Sequence, residues 1–334
     1  MQHDPFSNFD PAAEVERISR FIRSRLSGDL RRRGAVVGIS GGVDSSVCAA
    51  LCVAALGAER VFGVLMPERE SSAQSLELGR AVSEQLGVGY RVQDITTTLE
   101  ALECYATRDS AIAELIPGYG AGWKQKVVIM GGLSGRFNHF KLVAKDPSGQ
   151  VHEARLLLGQ YLSIVAATNY KQRVRKSIEY FHADRLNYAV IGTPNRLEYD
   201  QGFFVKNGDG SADLKPIAHL YKTEVYALAR WLGLPRAVCD STPTTDTYTL
   251  PQGQDEFFFA LPYQQMDQAL WAHDHGVPPA LTATRMGLAP ELVKNAYRDI
   301  EAKRRSAHYL HAPPLMLQDG ADAAQGPAAA RAPA

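Results

Sequence analysis

The sequence predicts an α/β fold with a Rossmann-like parallel sheet that carries helices on both faces. Short apolar segments alternate with amphipathic segments between residues 35 and 92, at the spacing of strand–helix–strand units. The apolar segments are hydrophobic throughout, as is usual for strands that are buried on both sides. A glycine-rich loop follows the first of them and opens a helix, which is typical of nucleotide-binding α/β domains.

Hydrophobic spacing and turn residues predict the individual elements. In chain order, we expect helix 11–26, strand 35–39, helix 46–56, strand 61–65, helix 73–86, strand 90–92, helix 169–181, strand 188–191 and helix 223–232. The last helix is followed by Gly233 and Pro235, a usual stop signal. The stretch from 105 to about 155 is less regular and contains the segment GYGAGW. The sequence KLVAKDPSGQVHEARL within it predicts a hairpin that turns at residues 146–149.

We expect one domain over residues 11–313, with an inserted segment at about 105–155. Residues 318–334 consist mostly of Ala, Gly, Pro and Asp, so we expect a disordered tail there.

Charge and hydrophobicity exclude several classes of partner. Lys plus Arg and Asp plus Glu both number 36, so the chain has no net charge that would attract nucleic acid or an anionic membrane. Its apolar runs are shorter than the roughly 18 residues of a membrane-spanning helix, and the N-terminal sequence MQHDPFSNFD does not resemble a signal peptide. The four cysteines lack metal-ligand spacing, and we expect buried thiols. These features indicate a cytoplasmic protein with no nucleic-acid or membrane partner.

The loop after the first predicted strand reads ISGGVDSS and covers residues 39–46. Its backbone N–H groups and the start of the following helix suit a phosphate. The G-x-x-x-x-G-K-[ST] and G-x-G-x-x-G motifs are both absent, so neither a P-loop NTPase nor a dinucleotide-binding site is supported. Asp44 occupies the place of the P-loop lysine, which predicts Mg²⁺ between its carboxylate and phosphate oxygens. A simple turn with a helix-capping acid remains the alternative.

This loop resembles the pyrophosphate-binding loop of the N-type ATP pyrophosphatases, the PP-loop superfamily. Further segments resemble the NAD synthetases of that superfamily and occur in the same order. They are NYKQRVR at 169–175, IGTPNRLE at 191–198, GFFVKNGDGSADLKP at 202–216, LYKT at 220–223, Pro243-Thr244, and KRR at 303–305. The chain therefore resembles the ammonia-dependent NAD synthetases over about residues 11–313, apart from the insertion.

The resemblance implies a carbon–nitrogen ligase. ATP would adenylate the nicotinate carboxylate of deamido-NAD and release pyrophosphate, and ammonia would then displace AMP to give NAD. The first step brings anions together and calls for cations around the phosphates, with Mg²⁺ as cofactor. The second step needs a shielded adenylate, because water competes with ammonia.

The resemblance also assigns residues by position. The implied ATP contacts are Gly38, Ile39, Ser40, Gly41, Gly42, Val43, Asp44, Ser45, Thr193, Lys222 and Thr244. The implied deamido-NAD contacts are Arg173, Lys206, Asp213, Ala302 and Lys303. Asp44 and Glu198 are the implied Mg²⁺ ligands, while Asp44 and Lys222 are the implied catalytic residues.

The sequence departs from the family pattern in three places. Ala302 stands where the family often has a histidine, and the residues after Thr244 lack the usual acidic continuation. The stretch between Asp94 and Asn169 is much longer than in compact bacterial NAD synthetases. We therefore hypothesise that the hairpin and GYGAGW form a lid or reshape the acid-binding pocket.

The family implies a homodimer. The first predicted strand begins at residue 35, which leaves no room before it for a glutaminase domain, so we expect free ammonia or a partner to supply nitrogen. Two other functions remain open. The chain could adenylate a different carboxylic acid, or it could be a non-catalytic nucleotide-binding sensor. A tRNA-modifying pyrophosphatase is disfavoured, because the catalytic cysteines and basic surface are missing.

Overall fold

The computed structural model describes residues 5–130, 139–241, 248–250, 253, 258–259 and 261–317. The strands within these residues are β1 (Ala35–Gly38), β2 (Val61–Leu65), β3 (Gly89–Val92), β4 (Lys124–Met130), β5 (His139–Lys145), β6 (Val151–Arg155) and β7 (Ala189–Ile191). The helices are α1 (Pro11–Ser24), α2 (Val43–Leu56), α3 (Ala73–Gln85), α4 (Thr96–Ala101), α5 (Cys104–Ala113), α6 (Leu158–Leu186), α7 (Arg196–Gln201), α8 (Lys222–Trp231), α9 (Arg236–Cys239), α10 (Tyr263–Asp274), α11 (Pro279–Met286) and α12 (Pro290–His311). The predicted disordered tail and Thr244 lie outside the described residues.

The central sheet is parallel and has the order β3-β2-β1-β7. Helices cover both faces of the sheet, and successive residues of a strand pack against opposite faces. Ala35 and Val37 pack with α1, α2 and α8 on one face, whereas Val36 and Val190 pack with α4, α5 and α6 on the other. The predicted α/β class, with helices on both faces of a parallel sheet, is confirmed.

Two helices begin earlier than the sequence pattern predicts. Helix α6 begins at Leu158 rather than near residue 169. Its first turns bury Ile164 but leave Leu158 72% exposed and Leu162 55% exposed, so they lack the single apolar stripe on which periodicity depends. Helix α2 begins at Val43 rather than at residue 46. Asp44 therefore lies in the first turn of α2 instead of in a loop.

The segment between α5 and α6 forms a second, antiparallel sheet with the order β4-β5-β6. The predicted hairpin at residues 146–149 is confirmed, since β5 pairs with β6 across it. Val127 and Leu142 of this sheet pack with Ile112 of α5 and Ile164 of α6. The insertion thus has its own small core, which is attached to the main domain through α5 and α6.

The four cysteine thiols are buried and free, as the sequence predicts. Among the helices of the described ranges, none combines the length and the apolar character needed to cross a membrane.

Candidate active site

The candidate site lies where the carboxyl ends of β1 and β7 meet. These strands pair in parallel register, with Val37 opposite Ile191, so the loops that follow them are adjacent. On the other side of β1 the chain continues to β2, so the strand order reverses at this point. Open α/β sheets bind ligands at such a switch point. The topology therefore brings the glycine loop at residues 39–42 next to the segment at residues 192–198.

Two positions of this site require glycine, because neighbouring atoms lie too close to the backbone for a side chain. Gly41 has φ of +86°, and a Cβ atom on it would lie 2.4 Å from the carbonyl oxygen of Ser75. A Cβ atom on Gly38 would lie 2.7 Å from Oε1 of Glu179. Because the first clash involves a backbone oxygen and the second a buried, ion-paired side chain, substitution at either position would displace the loop.

Hydroxyl groups hold the loop in its shape. The backbone N–H of Ser40 donates to Oγ of Ser45 at 3.2 Å, and the two hydroxyls of this pair are 3.1 Å apart. The Ser46 hydroxyl donates to the carbonyl oxygen of Gly42 at 2.8 Å. Gly42 caps α2 without a side chain, so no side-chain oxygen occupies the start of that helix. This arrangement is suited to receive phosphate oxygens from a ligand.

Lys222 connects the two carboxylates that the family resemblance assigns to Mg²⁺. Its ammonium donates a hydrogen bond to Oδ2 of Asp44 and lies 4.0 Å from Oε1 of Glu198. The side chain is buried, and burial alone would lower the pKa of Lys222. The charges of Asp44 and Glu198 outweigh this effect and raise the pKa above its ordinary value. Lys222 is therefore a permanent cation next to the glycine loop.

Asn195 couples the same two carboxylates. It caps α7 by accepting a hydrogen bond from the backbone N–H of Glu198 at 3.2 Å, while Glu198 Oε2 accepts from the backbone N–H of Asn195, also at 3.2 Å. This reciprocal pair is a capping box. The amide Nδ2 of Asn195 also donates to Oδ1 of Asp44 at 3.0 Å. The sequence-based assignment missed Asn195, although N-x-x-E before a short helix is the signature of a capping box.

The start of α8, where Lys222 lies, is held by a residue from another helix. Asp267 of α10 accepts hydrogen bonds from the backbone N–H and the hydroxyl of Thr223, both at 2.7 Å, and from the backbone N–H of Lys222 at 3.3 Å. Burial raises the pKa of Asp267 to about 7, against the hydrogen bonds from α8 that lower it. Asp267 was also missed, because its 44-residue separation from Thr223 leaves no local pattern.

Two cavities adjoin the glycine loop. The first cavity is about 270 Å³ and extends toward the end of β2, where apolar residues such as Val64, Leu65 and Met66 line it. It includes Thr193 and Glu198 and the loop residues Gly38, Ile39, Ser40, Gly42, Asp44 and Ser45. The second cavity is about 1310 Å³ and lies on the other side of the loop. It includes Gly41, Val43 and Lys222, and it shares Ser40, Gly42 and Asp44 with the first cavity.

The first cavity contains an ion pair that the sequence-based assignment did not include. Nζ of Lys176 lies 2.6 Å from Oε2 of Glu179. Both side chains are buried, and the two residues are one turn apart on α6. Their i, i+3 spacing indicates a shared helix face, but only the fold shows that this face points into the cavity. Asp209 lies at the same cavity, and burial raises its pKa.

The charged residues that the resemblance assigns to deamido-NAD make contacts within the protein. Arg173 Nε donates to the carbonyl oxygen of Lys206 at 3.3 Å, and Asp213 accepts from the backbone N–H of Val190 at 2.7 Å. The ammonium of Lys206 donates to carbonyl oxygens at the end of α12, at 2.7 and 3.0 Å.

On α12, Lys303 donates to the carbonyl oxygen of Phe258 and to Asp299. Ala302 next to it is exposed and offers only a methyl group. Both lysines of the predicted set therefore already have protein partners, so a ligand would have to replace those contacts.

The donor set around Asp44 fits a magnesium ion that is bound together with a substrate. Across the described residues, no cluster of three or more His, Cys, Asp or Glu side chains is arranged to hold a metal. Mg²⁺ characteristically uses one or two carboxylates together with substrate phosphates and water. Asp44 and Glu198, which share the Lys222 cation, supply such a pair next to the glycine loop.

Comparison with known proteins agrees with this architecture. The model of the NAD synthase family matches residues 14–116 and 144–313. An NH(3)-dependent NAD(+) synthetase of Mesorhizobium japonicum is 54% identical over 308 residues, which cover 92% of this chain and 97% of that protein. An NH(3)-dependent NAD(+) synthetase of Thermotoga maritima is 36% identical over 258 residues, which cover 76% of this chain and 85% of that protein.

Solved structures show the same fold. An NMN synthetase from Francisella tularensis has a TM-score of 0.65 at 22% identity, with 93% of this chain and 99% of that chain covered. An NH3-dependent NAD synthetase from Campylobacter jejuni has a TM-score of 0.61 at 23% identity, with 93% of this chain and 100% of that chain covered. Taken with the match of the family model and the 54% identity to a curated relative, the glycine loop and the strand order place the chain in one family. The chain belongs to the NAD synthase family.

Proposed function

We propose that this protein uses ATP to adenylate the nicotinate carboxylate of deamido-NAD and then amidates it with ammonia, giving NAD, AMP and pyrophosphate. The observation that carries the proposal is the contact of Lys222 with Asp44 and its proximity to Glu198, at the end of a glycine loop. A buried cation and two carboxylates next to a phosphate site suit the cleavage of ATP between its α and β phosphates.

The phosphate loop would act first by binding and orienting ATP. Backbone N–H groups at the start of α2 and the hydroxyls of Ser40 and Ser45 would donate to phosphate oxygens. The apolar lining of the first cavity suits the adenine ring, so the adenosine would extend toward Met66. Lys222 would offset negative charge as the carboxylate approaches the α phosphate.

Mg²⁺ would be held by Asp44 and Glu198 and would neutralise charge on the phosphates when bound. The backbone N–H of Asn195 fixes Glu198 Oε2 and its side-chain amide fixes Asp44 Oδ1, which leaves Asp44 Oδ2 and Glu198 Oε1 on the Lys222 side. In the second step, the apolar end of the first cavity, at Val64, Leu65 and Met66, would limit the access of water to the acyl adenylate.

We also propose that the protein works as a cytoplasmic homodimer. Helix α6 exposes Leu158, Leu162 and Phe181, by 72%, 55% and 60% respectively, and apolar exposure along one helix supports burial against a second copy. The four free thiols support a reducing compartment. Light scattering at several protein concentrations tests the dimer, and a monomer at all of them would contradict it.

The function is tested by measuring pyrophosphate release from ATP and Mg²⁺ in the presence of ammonium, with deamido-NAD compared against a panel of other carboxylic acids. We expect release and NAD formation with deamido-NAD at an ordinary enzymatic rate. Release only with another acid would support the alternative ligase and refute the proposed substrate. Nucleotide binding without release for any acid would support the sensor.

A further inference from the structure

Helix α7 carries one of the two proposed Mg²⁺ ligands and has only six residues. Glu198 lies in its first turn, inside the capping box with Asn195. A helix of this length is not stable by itself in water, so contacts with the rest of the protein must hold α7 in place. The orientation of Glu198 therefore depends on the residues that contact α7 from other helices.

Apolar residues of α7 pack against α10 and α12. Leu197 is buried in a cluster with Met266 of α10 and Ile300 of α12. Gly202, at the end of α7, lies so close to α12 that a Cβ atom on it would be 2.7 Å from Cβ of Ala307. Because hydrophobic contacts have no preferred direction, they fix the distance between these helices better than the rotation of α7 about its axis.

Ion pairs hold both ends of α7. At its first residue, Nη2 of Arg196 donates to Oδ2 of Asp274 on α10 at 2.6 Å. Near its last residue, Asp200 accepts from Nε of Arg304 on α12 at 2.8 and 3.0 Å. Nη2 of Arg304 also donates to Oδ1 of Asp274 at 2.7 Å. The four side chains thus form a chain of contacts that begins and ends on α7.

Arg304 contacts two carboxylates at once. Its Nε bonds to Asp200 and its Nη2 to Asp274, while its Nη1 lies 3.4 Å from Nδ1 of His273. A guanidinium presents its N–H donors in a fixed plane, so one that binds two carboxylates also fixes their relative position. The Arg304 side chain is 31% exposed, and salt screens partly buried ion pairs less than surface pairs. Arg304 therefore restricts rotation of α7, because rotation would move Asp200 away from the guanidinium.

Arg304 belongs to the KRR segment, in which the resemblance assigns a substrate contact only to Lys303. We propose that Arg304 is a positioning residue, which acts through Asp200 and α7 to keep Glu198 oriented for Mg²⁺. This inference rests on the proposed function, because it takes Glu198 as a metal ligand. Removal of such an orienting contact usually weakens metal binding by about 10- to 100-fold.

The Mg²⁺ dependence of turnover provides the first test. In Arg304→Gln, we expect the Mg²⁺ concentration for half-maximal pyrophosphate release to rise about tenfold, with the KM for deamido-NAD unchanged. Asp200→Asn should have the same effect, and the double variant should be no worse than either single one, because both residues act through the same contact. Arg298→Gln is the matched control and should not change. Arg298 is exposed on the same helix and donates to Asn295 of that helix at 3.4 Å.

Two further measurements need no turnover. Binding of Mn²⁺ in the presence of α,β-methylene-ATP, followed by electron paramagnetic resonance, should be about tenfold weaker in Arg304→Gln and in Asp200→Asn than in the wild type. Hydrogen exchange of the amides at residues 196–202 should be about tenfold faster in Arg304→Gln, without ligand, and unchanged in the control. Asp200→Asn retains the contact of Arg304 with Asp274, so it also tests the inference if Arg304→Gln does not fold.

Equal metal dependence in the wild type and both variants would overturn the inference even if the protein makes NAD. Additive effects in the double variant, or unchanged exchange at residues 196–202, would overturn it as well. If no acid supports pyrophosphate release, the proposed function fails, and weaker Mn²⁺ binding by the two variants would still support the inference. A wild-type protein that binds no Mn²⁺ with the nucleotide would overturn the role of Glu198 and the inference with it.

Discussion

Asn195 donates a hydrogen bond from Nδ2 to Oδ1 of Asp44 at 3.0 Å, across 151 residues of sequence. The same side chain accepts from the backbone N–H of Glu198 and caps α7. One amide therefore sets the orientation of both carboxylates that we propose as Mg²⁺ ligands. Such orienting contacts usually change metal affinity by about 10- to 100-fold when they are removed.

Replacing Asn195 is expected to weaken the use of Mg²⁺. In Asn195→Ala, the Mg²⁺ concentration for half-maximal pyrophosphate release should rise about tenfold, and loss of the helix cap should cost about 1 kcal/mol of unfolding free energy. Asn195→Ser separates the two effects, because serine caps a helix but is too short to contact Asp44 in the same way. Recovery of both properties in Asn195→Ser would show that capping alone matters and would contradict the orienting role.

Removing the ammonium of Lys222 is expected to impair turnover but to strengthen binding of free Mg²⁺. The ammonium neutralises Asp44 and Glu198, so Lys222→Met leaves two carboxylates that attract another cation. We expect kcat for pyrophosphate release to fall by about 10²- to 10³-fold. Titration of the nucleotide-free protein should show tighter Mg²⁺ binding than in the wild type. Circular dichroism checks folding, and weaker Mg²⁺ binding by a folded variant would refute the shared-cation arrangement.

Replacing Asp44 is expected to abolish turnover. Asp44→Ala removes one proposed Mg²⁺ ligand and the principal partner of Lys222. Pyrophosphate release should fall below detection with any acid, whereas Asp29→Ala, which removes an exposed carboxylate near the end of α1, should leave it unchanged. Normal release by Asp44→Ala would refute the metal assignment.

Glu70 should make stability depend on pH in the acid range. Burial by itself would raise its pKa, but hydrogen bonds and charges from Arg108 and Lys171 hold the pKa at about 2, against an ordinary 4.5. Because the folded-state pKa is the lower one, this stabilisation is present above about pH 4.5 and is lost as the pH falls toward 2. The shift corresponds to about 3 kcal/mol at neutral pH.

The measurement is urea unfolding of the wild type and Glu70→Gln between pH 3 and pH 7. The difference in unfolding free energy should be about 3 kcal/mol at pH 7 and about 1 kcal/mol at pH 3. Glu77→Gln, which alters another glutamate outside this ion pair, serves as the control and should show no such trend. A difference that stays constant with pH would contradict the assignment of the ion pair.

Asp267 should have the opposite pH dependence, because its pKa is raised from 3.8 to about 7. The folded state favours the protonated form, so its contribution to stability is largest below pH 3.8 and decreases as the pH rises to 7. The difference in unfolding free energy between the wild type and Asp267→Asn should therefore decrease over this interval. We also expect lower kcat in Asp267→Asn, because weaker bonds at the start of α8 displace Lys222.

Asp274→Asn is the matched control, since Asp274 lies on the same helix and has its pKa lowered by Arg304 and Arg196 against the effect of burial. The difference in unfolding free energy between the wild type and Asp274→Asn should instead decrease as the pH falls. The same trend for both variants would show that the assigned environment of Asp267 is incorrect.

Much of the local structure followed from the sequence alone. The strands at 61–65 and 90–92, the hairpin at 146–149 and the glycine loop after β1 all depend on short-range spacing and on turn residues. The start of α6 was misplaced because its apolar residues lie on more than one face. Asp44 was assigned to the phosphate site from its place in the loop, and that assignment needed no knowledge of distant contacts.

The tertiary structure alone decided how the distant parts of the site meet. The order β3-β2-β1-β7 brings Asp44 next to Asn195, and α8 carries Lys222 to the same place. It also placed residues 119–124 of the insertion at the same cavity as the glycine loop, and it gave Lys206 and Lys303 partners of their own. The spacing of apolar residues within one segment indicates which of them share a face of the helix or strand. Contacts between segments far apart in the chain depend on strand order and packing, which no local pattern specifies.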